Sequence, residues 1–236
     1  MLEKTEKTLD LIAKDSFFTT YDVKFVGGTA LSYLINHRLS EDLDFAMLDL
    51  CPKEIKNMMI NKYQATQLPH DIALVDSVKN EGGDLEDYYL KFMLHGVKVE
   101  FFSPPFNMLE KEIWNSEPST SYKNTNIQVA SFKTIMYMKT MAFWNRKKYR
   151  DLFDIYYVLS NNHSFTVEDF IELYIKYNIT YDKEILYKKI RCKESFYKKP
   201  EDEGLSTLVK DHESYEWYRK KIEGMVHNAY LQELYE

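Results

Sequence analysis

The sequence predicts an α+β fold, in which a mixed sheet with flanking helices is followed by an α-helical bundle. The first observation is that short apolar segments alternate with helical patterns as far as about residue 125. The second is that almost every later segment has apolar residues at helical spacing. A Ser/Thr/Asn-rich stretch at 116–126 separates the two patterns. We therefore predict one domain over 1–125 and a helical domain over 126–236.

Composition limits the class of protein. The chain has 236 residues, 44% of them apolar and 15% aromatic, which is enough to bury a large core. A net charge of −6 argues against general coating of nucleic acid. Cys51 and Cys192 predict free thiols in a reducing compartment. The charged start lacks a signal-peptide core and no apolar run suits a bilayer, so we expect a cytoplasmic protein with no membrane partner.

The elements of the first domain follow from local patterns. A polar helix is expected near 4–15, and the strand 23–26 ends at Gly27-Gly28, because glycine tolerates the positive φ of a tight turn. A helix over 29–37 and a buried apolar strand over 43–48 follow. Proline at its first turn favours a helix over 52–63. Further strands are expected at 68–77, 86–94 and 97–102.

The second domain is predicted to be helical because apolar residues recur there with a period of 3.6. Asparagine, threonine and proline mark the breaks between its helices. The expected helices lie near 131–145, 148–160, 166–177, 182–196, 203–212 and 214–235.

The acidic residues of two predicted strands form the first candidate site. Asp42 and Asp44 are separated by one residue, so on a strand both side chains point to the same face. Glu100 is framed by Val99 and Phe101 on another strand and is the third candidate. Carboxylate oxygens are the ligands that Mg²⁺ or Mn²⁺ prefers, and paired cations favour transfer at phosphorus. We predict that these acids bind metal and take part in catalysis.

The Gly27-Gly28 turn is the second part of this site. Backbone amides at a glycine turn and the following helix N-terminus attract anions, so a nucleoside triphosphate could lie there. Thr29 could add a hydroxyl, and Arg38 and Ser40 precede the acidic pair closely enough to contact phosphate.

A basic and acidic segment of the helical half forms the second candidate site. A continuous helix would align Lys139, Arg146 and Arg150 on one face, and Asp151 and Asp154 lie one turn apart. Lysine and arginine suit phosphate, and a neighbouring acid could orient the lysine or accept a proton. A solvated helix with surface salt bridges is the alternative interpretation.

Together these motifs resemble the nucleotidyltransferase signature of the AbiEii/AbiGii toxin family, within the polymerase-beta-like nucleotidyltransferase superfamily. The similarity rests on Val26–Leu31, on His37–Phe45, and on Lys139 followed by the Arg-Asp-hydrophobic-aromatic-Asp segment 150–154. The resemblance implies a nucleotidyltransferase-like sheet whose helical bundle contributes to the active-site cleft. It also implies Mg²⁺-dependent transfer from a nucleoside triphosphate, with Lys139 and Asp151 as further active-site residues. The family often has aspartate where this chain has Glu100.

The resemblance leaves the biological role open between several cases. Relatives act as the toxin of a toxin–antitoxin or phage-defence pair, or add nucleotides to tRNA, so the acceptor could be tRNA, another RNA or a protein, and a cognate antitoxin could exist. A catalytically inactive nucleotide- or partner-binding module is the alternative. A helical ribonuclease would need an Arg and a His about five residues apart, and Arg219 and His227 are too far separated.

Overall fold

A computed structural model describes residues 1–104, 111, 114–145, 148–161, 164–176, 183–191 and 205–235. The chain divides into two compact units, residues 1–135 and 136–236. The first unit thus continues ten residues beyond the expected boundary at 125, because the strand Gln128–Val129 pairs within its sheet. The division into one domain over 1–125 and a helical domain over 126–236 stays a prediction. No helix in the described part of the chain combines the length and apolar character needed to cross a membrane.

The first unit is built on one mixed sheet. Among the described residues its order is β3-β4-β5-β2-β1-β7-β6, with the β2–β5 and β1–β7 pairs parallel and the other pairs antiparallel. The strands are β1 Lys24–Val26, β2 Leu43–Ala46, β3 Thr66–Gln67, β4 Tyr89–Leu94, β5 Val97–Phe102, β6 Thr120–Ser121 and β7 Gln128–Val129.

Helices flank this sheet. They are α1 Glu3–Ile12, α2 Phe17–Thr20, α3 Gly27–Ile35, α4 Pro52–Lys56, continued by a π-helical turn Asn57–Lys62, and α5 Ile72–Asn80, with 3₁₀ turns at Leu85–Asp87 and Tyr122–Asn124. A mixed sheet with flanking helices confirms the α+β fold predicted for this half of the chain.

Aromatic side chains fill one face of the sheet. Phe25, Phe45 and Phe101 are fully buried on three neighbouring strands. The rings of Phe45 and Phe101 stack with centroids 5.1 Å apart, and Phe92 meets Phe101 edge-on at 6.3 Å. Because side chains alternate along a strand, the residues between these phenylalanines face the opposite side. This alternation places the polar residues of β2 and β5 away from the aromatic core.

The predicted strand over 68–77 is wrong, since α5 spans Ile72–Asn80. Asp71 begins this helix, because its carboxylate accepts hydrogen bonds from the amides of Ala73 and Leu74 at 2.8 and 3.4 Å. The cap outweighs the apolar, β-prone composition that favoured a strand. Only Thr66–Gln67 pairs as a strand in this region, against β4.

The second unit is helical, which confirms the predicted bundle. The helices of this half of the chain are α6 Phe132–Asn145, whose first four residues belong to the first unit, α7 Tyr149–Ser160, α8 Val167–Lys176, α9 Lys183–Arg191, α10 Leu205–Leu208 and α11 Tyr215–Tyr235. Helix α10 is shorter than the predicted 203–212. Residues 192–196 of the fourth predicted helix, with Cys192, lie outside the described residues, as do the breaks expected at Asn162, Thr180 and Lys199-Pro200.

Aromatic contacts and one buried arginine join the helices of the second unit. Phe143 packs edge-on against Phe170 at 5.8 Å, and Phe153 against Tyr218 at 5.4 Å. The guanidinium of Arg219 donates to the carbonyl of Ile190 at 2.8 Å, which joins α11 to α9. Phe143, Phe153, Phe170 and Tyr218 are buried and therefore belong to the core of this unit.

Asp15 provides a test of what holds the first unit together. Its buried carboxylate accepts from the Phe17 amide at 2.8 Å, from Lys62 Nζ at 2.6 Å and from the Tyr63 hydroxyl at 3.0 Å. Burial would raise the pKa of Asp15, but Lys62 and the other donors outweigh it and lower the pKa below its usual 3.8. We expect Asp15→Asn to lower the free energy of unfolding by about 1–3 kcal/mol at pH 7 in urea titrations, since it loses a charged hydrogen-bond acceptor.

The contribution of Asp15 to the free energy of unfolding should also depend on pH. Stability from a lowered carboxyl pKa is fully present above the unfolded-state value near 3.8 and disappears as the pH falls through the folded-state pKa. The difference in unfolding free energy between wild type and Asp15→Asn should therefore narrow below about pH 4.

Lys7→Met is the control variant. It breaks an exposed ion pair with Glu3 and should lower the free energy of unfolding by less than about 1 kcal/mol. Equal losses in the two variants would contradict this interpretation.

Candidate active site

Three carboxyl groups meet on the polar face of the sheet. Asp44 on β2 is the register partner of Glu100 on the parallel strand β5. Their carboxyl groups are hydrogen-bonded to each other, and Asp42 lies just before β2. Leu43 and Phe45 are fully buried, so the alternation predicted from the sequence is present. The structure thus brings the predicted acids together, while their metal-binding and catalytic roles stay predictions.

Two further residues hold these acids in place, and the sequence analysis did not identify them. Lys98 Nζ lies 2.9 Å from Glu100 Oε2 and 3.4 Å from Asp42 Oδ2. The hydroxyl of Tyr89, on β4, donates to Glu100 Oε1. Lys98 precedes Glu100 by two residues on an alternating strand, so the sequence contained a signal for their shared face. Tyr89 could not be inferred in this way, because its position depends on strand pairing.

The acids differ in their affinity for protons. Burial raises the pKa of Asp44 to about 7, and the negative charges of Glu100 and Asp42 add to this effect. Burial also acts to raise the pKa of Glu100, but the Lys98 ammonium and the hydrogen bonds from Lys98, Tyr89 and Asp44 outweigh it and lower the pKa. Of the two acids, Asp44 therefore holds a proton more readily than Glu100. Sharing a proton reduces the repulsion between two adjacent acids.

The Gly27 turn lies directly against these acids. Gly27 has a φ of +75°, and a Cβ atom at this position would lie 2.8 Å from Asp44 Cγ. Helix α3 begins at the same residue. A side chain here would thus collide with Asp44 as well as strain the backbone. Only glycine lets the turn and the carboxyl group approach so closely.

The remaining residues predicted for this site pack around the same turn. The hydroxyl of Thr29 donates to the carbonyl of Asp42 and is hydrogen-bonded to Ser40 Oγ at 2.7 Å. Arg38 is buried and donates to the Leu39 carbonyl at 2.9 Å, while a Cβ on Gly28 would lie 2.5 Å from Arg38 Nη2. The structure therefore gathers the predicted phosphate-binding residues of the first unit beside the acids.

The donor chemistry of this cluster fits a hard divalent cation. All three acids offer oxygen ligands, and the Lys98 ammonium already lies as a cation between Asp42 and Glu100. No three His, Cys, Asp or Glu side chains within the described ranges form a ready-made metal-binding group. Asp42 and Glu100 instead face the Lys98 ammonium group.

The second candidate site lies within the helical unit. Lys139 on α6 is buried and lies 2.9 Å from Asp151 Oδ1 and 2.7 Å from Asp154 Oδ2, both on α7. Asp154 is fully buried. These contacts differ from the surface salt bridges of the alternative interpretation, because all three side chains are almost inaccessible to water.

The continuous helix needed to align Lys139 and Arg150 does not form. Helix α6 ends at Asn145 and α7 begins at Tyr149, so the two residues belong to different helices. Arg146 lies outside the described residues. Arg150 is half-buried near the start of α7, and its predicted contact with phosphate stays a prediction.

A comparison with protein families finds one that spans most of the chain. The family model described as "Nucleotidyl transferase AbiEii toxin, Type IV TA system" matches residues 18–229. This range contains both candidate clusters. No curated protein matches the sequence.

Solved structures share the fold at low sequence identity. A Helicobacter pylori protein described as a nucleotidyltransferase is 18% identical, with a TM-score of 0.55 and 99% of each chain covered. JHP933 from Helicobacter pylori is 17% identical, with a TM-score of 0.51, covering 98% of this chain and 97% of its own. MenT4, a nucleotidyltransferase toxin from Mycobacterium tuberculosis, is 13% identical with a TM-score of 0.50, covering 86% of this chain and 74% of its own.

The close approach at Gly27 leads to a testable difference between two glycines. Gly96 has a similar φ of +73°, but a Cβ there would meet nothing within 4 Å. Substituting alanine costs roughly 1–2 kcal/mol in backbone strain at either position. We expect Gly27→Ala to lower the free energy of unfolding further than Gly96→Ala, because only Gly27→Ala also displaces Asp44. Urea unfolding of the two variants measures the difference, and equal losses would refute the steric argument.

The buried lysine leads to a second test, with a control on the same helix. Lys139→Met removes an ammonium group that pairs with two buried acids, Asp151 and Asp154, so we expect a loss of about 3–5 kcal/mol in unfolding free energy. Lys133, also on α6, pairs with Glu117 at 2.8 Å but its side chain is 65% exposed. Lys133→Met should cost at most about 1 kcal/mol. A Lys139→Met variant as stable as Lys133→Met would contradict the assignment.

Proposed function

The chain belongs to the AbiEii nucleotidyltransferase toxin family, and we propose that it transfers a nucleotide from a nucleoside triphosphate to a hydroxyl group of RNA or protein. The observation that carries this proposal is the meeting of Asp44 and Glu100 on paired strands directly beside the Gly27 turn. Nucleotide transfer needs backbone amides that bind the phosphates and, close to them, acids that can hold a metal ion.

In this proposal the residues of the first unit have separate roles. Asp42, Asp44 and Glu100 would hold Mg²⁺ or Mn²⁺, which when bound would neutralise charge on the reacting phosphate oxygens. The N-terminus of α3 at Gly27-Gly28 would bind the triphosphate through backbone amides. The hydrogen bonds of Thr29 to Ser40 and to the Asp42 carbonyl fix the turn relative to the acids. Arg38 would add positive charge to the phosphate side of the turn.

The proposed reaction is a substitution at the α-phosphorus. The oxygen of the acceptor hydroxyl forms a bond to that phosphorus, the bond to the β-phosphate oxygen breaks, and pyrophosphate leaves. The hydroxyl proton passes to water. The positioned acids and amides lower the barrier because the charge that develops on the phosphate oxygens meets groups that are already oriented.

The family signature supports three more assignments. Lys139 and Asp151 would be further catalytic residues, and Arg150 would bind phosphate. The ion pairs of Lys139 with Asp151 and Asp154 support this proposal because they fix the position of the ammonium group. An ordered lysine loses less conformational entropy when it binds a phosphate oxygen.

The biological part of the proposal is a toxin whose activity a cognate antitoxin counteracts. The family description, which includes a type IV toxin–antitoxin system, supports this role. Nucleoside triphosphates and RNA are abundant in the cytoplasm, and the proposed site of action is there.

The test is incorporation of label from each of the four α-labelled nucleoside triphosphates into total RNA and total protein, with Mg²⁺ present. We expect wild type to label one class of acceptor, and the double variant Asp42→Ala/Asp44→Ala to lose at least about a hundredfold in rate. Asp76→Ala is the matched control, because Asp76 is exposed on α5. That variant should label at the wild-type rate.

Two outcomes would contradict the proposal. Equal labelling by wild type and the double variant would show that these acids are not catalytic. Binding of a nucleoside triphosphate without transfer to any RNA or protein would instead support an inactive binding module.

A further inference from the structure

The position of Lys98 between the acids has a consequence beyond holding them in place. On β5, Lys98 and Glu100 point to the same face, and their carboxylate–ammonium distance is 2.9 Å. On the neighbouring strand, Leu43 is the register partner of Val99, so Asp42 is adjacent to Lys98. The ammonium group therefore lies between carboxylates of two strands, 3.4 Å from the nearer oxygen of Asp42.

This ammonium group provides charge compensation that the acids need. Three carboxyl groups on adjacent strands repel one another unless a cation or a proton intervenes. Within the described residues, the Lys98 ammonium compensates Asp42 and Glu100. In this arrangement one carboxylate oxygen of each of these two acids lies within 3.4 Å of Lys98 Nζ.

We propose that Lys98 is a built-in counter-cation that positions Asp42 and Glu100 before metal binds and must withdraw when a divalent cation arrives. The inference rests on the metal-binding role proposed above for these acids. Lys98 would then set the affinity of the site for metal, because every binding event must break its ion pairs. It acts as a positioning residue, through the carboxylates that it holds.

The surroundings of Lys98 allow such a withdrawal. Its side chain is 35% exposed, whereas that of Glu100 is only 16% exposed. Four rotatable carbon–carbon bonds let a lysine carry its ammonium into water while its methylene groups remain in contact with the sheet. The backbones of Asp44 and Glu100, in contrast, are held by strand pairing.

A lysine that competes with metal and a lysine that only stabilises the sheet predict different changes in metal affinity when Lys98 is removed. If Lys98 only stabilised the sheet, its removal would leave metal affinity unchanged or reduce it through loss of order. If Lys98 competes with metal, its removal must raise metal affinity while lowering the stability of the metal-free protein. Metal affinity and metal-free stability therefore have to be measured together.

The test measures Mn²⁺ binding to the full chain without nucleotide, by the electron paramagnetic resonance signal of free Mn²⁺. We expect Lys98→Met to bind Mn²⁺ roughly tenfold more tightly than wild type, a change of about 1.4 kcal/mol. Its melting temperature without metal should be lower than that of wild type, and Mn²⁺ should raise it by more than it raises the wild-type value. Unchanged or weaker Mn²⁺ binding by Lys98→Met would overturn the proposal.

Lys91 provides the matched control. It is the register partner of Glu100 on β4, so it occupies the same face, and it is half-exposed. Within the described part of the chain it forms no ion pair with the acids. Lys91→Met removes the same charge from the same face, and we expect it to change the Mn²⁺ dissociation constant by less than about twofold. An equal gain in both variants would indicate general charge removal and would overturn the specific role of Lys98.

The double variant Asp42→Ala/Asp44→Ala separates failure of this inference from failure of the proposed function. If this variant binds Mn²⁺ as wild type does, the acids are not the metal site and the proposed function fails. If it loses Mn²⁺ binding but Lys98→Met gains none, the metal role survives and only the counter-cation role is rejected.

A measurement on the wild-type protein covers the case in which Lys98→Met fails to fold. Saturating Mn²⁺ should release the Lys98 amine, so acetylation of Lys98, followed by mass spectrometry, should become at least about threefold faster relative to Lys91. A rate ratio that stays constant or falls on addition of Mn²⁺ would overturn the proposal.

Discussion

Repulsion between acids on one face of a sheet is the constraint on which the structure of this site depends. The parallel pairing of β2 with β5 places Asp44 opposite Glu100, and Asp42 follows from the alternation of side chains. Carboxylates this close and this little exposed must be neutralised in part for the unit to fold. The Lys98 ammonium neutralises part of this charge from within the same sheet, and the Tyr89 hydroxyl donates a hydrogen bond to Glu100. These contacts stabilise the acids at their present spacing.

The opposite face of the same strands explains how the acids keep their positions. Phe45 and Phe101 stack beneath the acids, and each is fully buried. This packing fixes the two strands relative to each other, so the spacing of the carboxyl groups is set by the core. The Gly27 turn also restricts the position of the Asp44 side chain, because the two are so close that a Cβ on Gly27 would overlap Asp44. In the helical unit, acids that lie close together are likewise compensated by a lysine, because the ammonium group of Lys139 lies between the buried carboxylates of Asp151 and Asp154.

Features of the site that depend on local sequence could be predicted, and features that depend on pairing between distant strands could not. The alternation of Leu43, Asp44 and Phe45 and the glycine turn were evident because each is a property of a few consecutive residues. Tyr89 was missed because its contact with Glu100 needs the antiparallel register of β4 with β5. The strand expected at 68–77 was wrong for a different reason. The apolar composition of this segment is compatible with a strand or a helix, and the N-cap at Asp71 favours the helix.

The central claim is that Asp42, Asp44 and Glu100 bind a divalent cation beside the turn that receives the triphosphate. Anomalous diffraction from crystals grown with Mn²⁺ and a non-hydrolysable nucleoside triphosphate tests it most directly. The claim predicts a manganese peak within coordination distance of the Asp42, Asp44 and Glu100 oxygens, with phosphate density against the amides of Gly27 and Gly28 and the Lys98 ammonium moved away from Asp42. A manganese peak elsewhere, or a triphosphate bound away from Gly27, would contradict it.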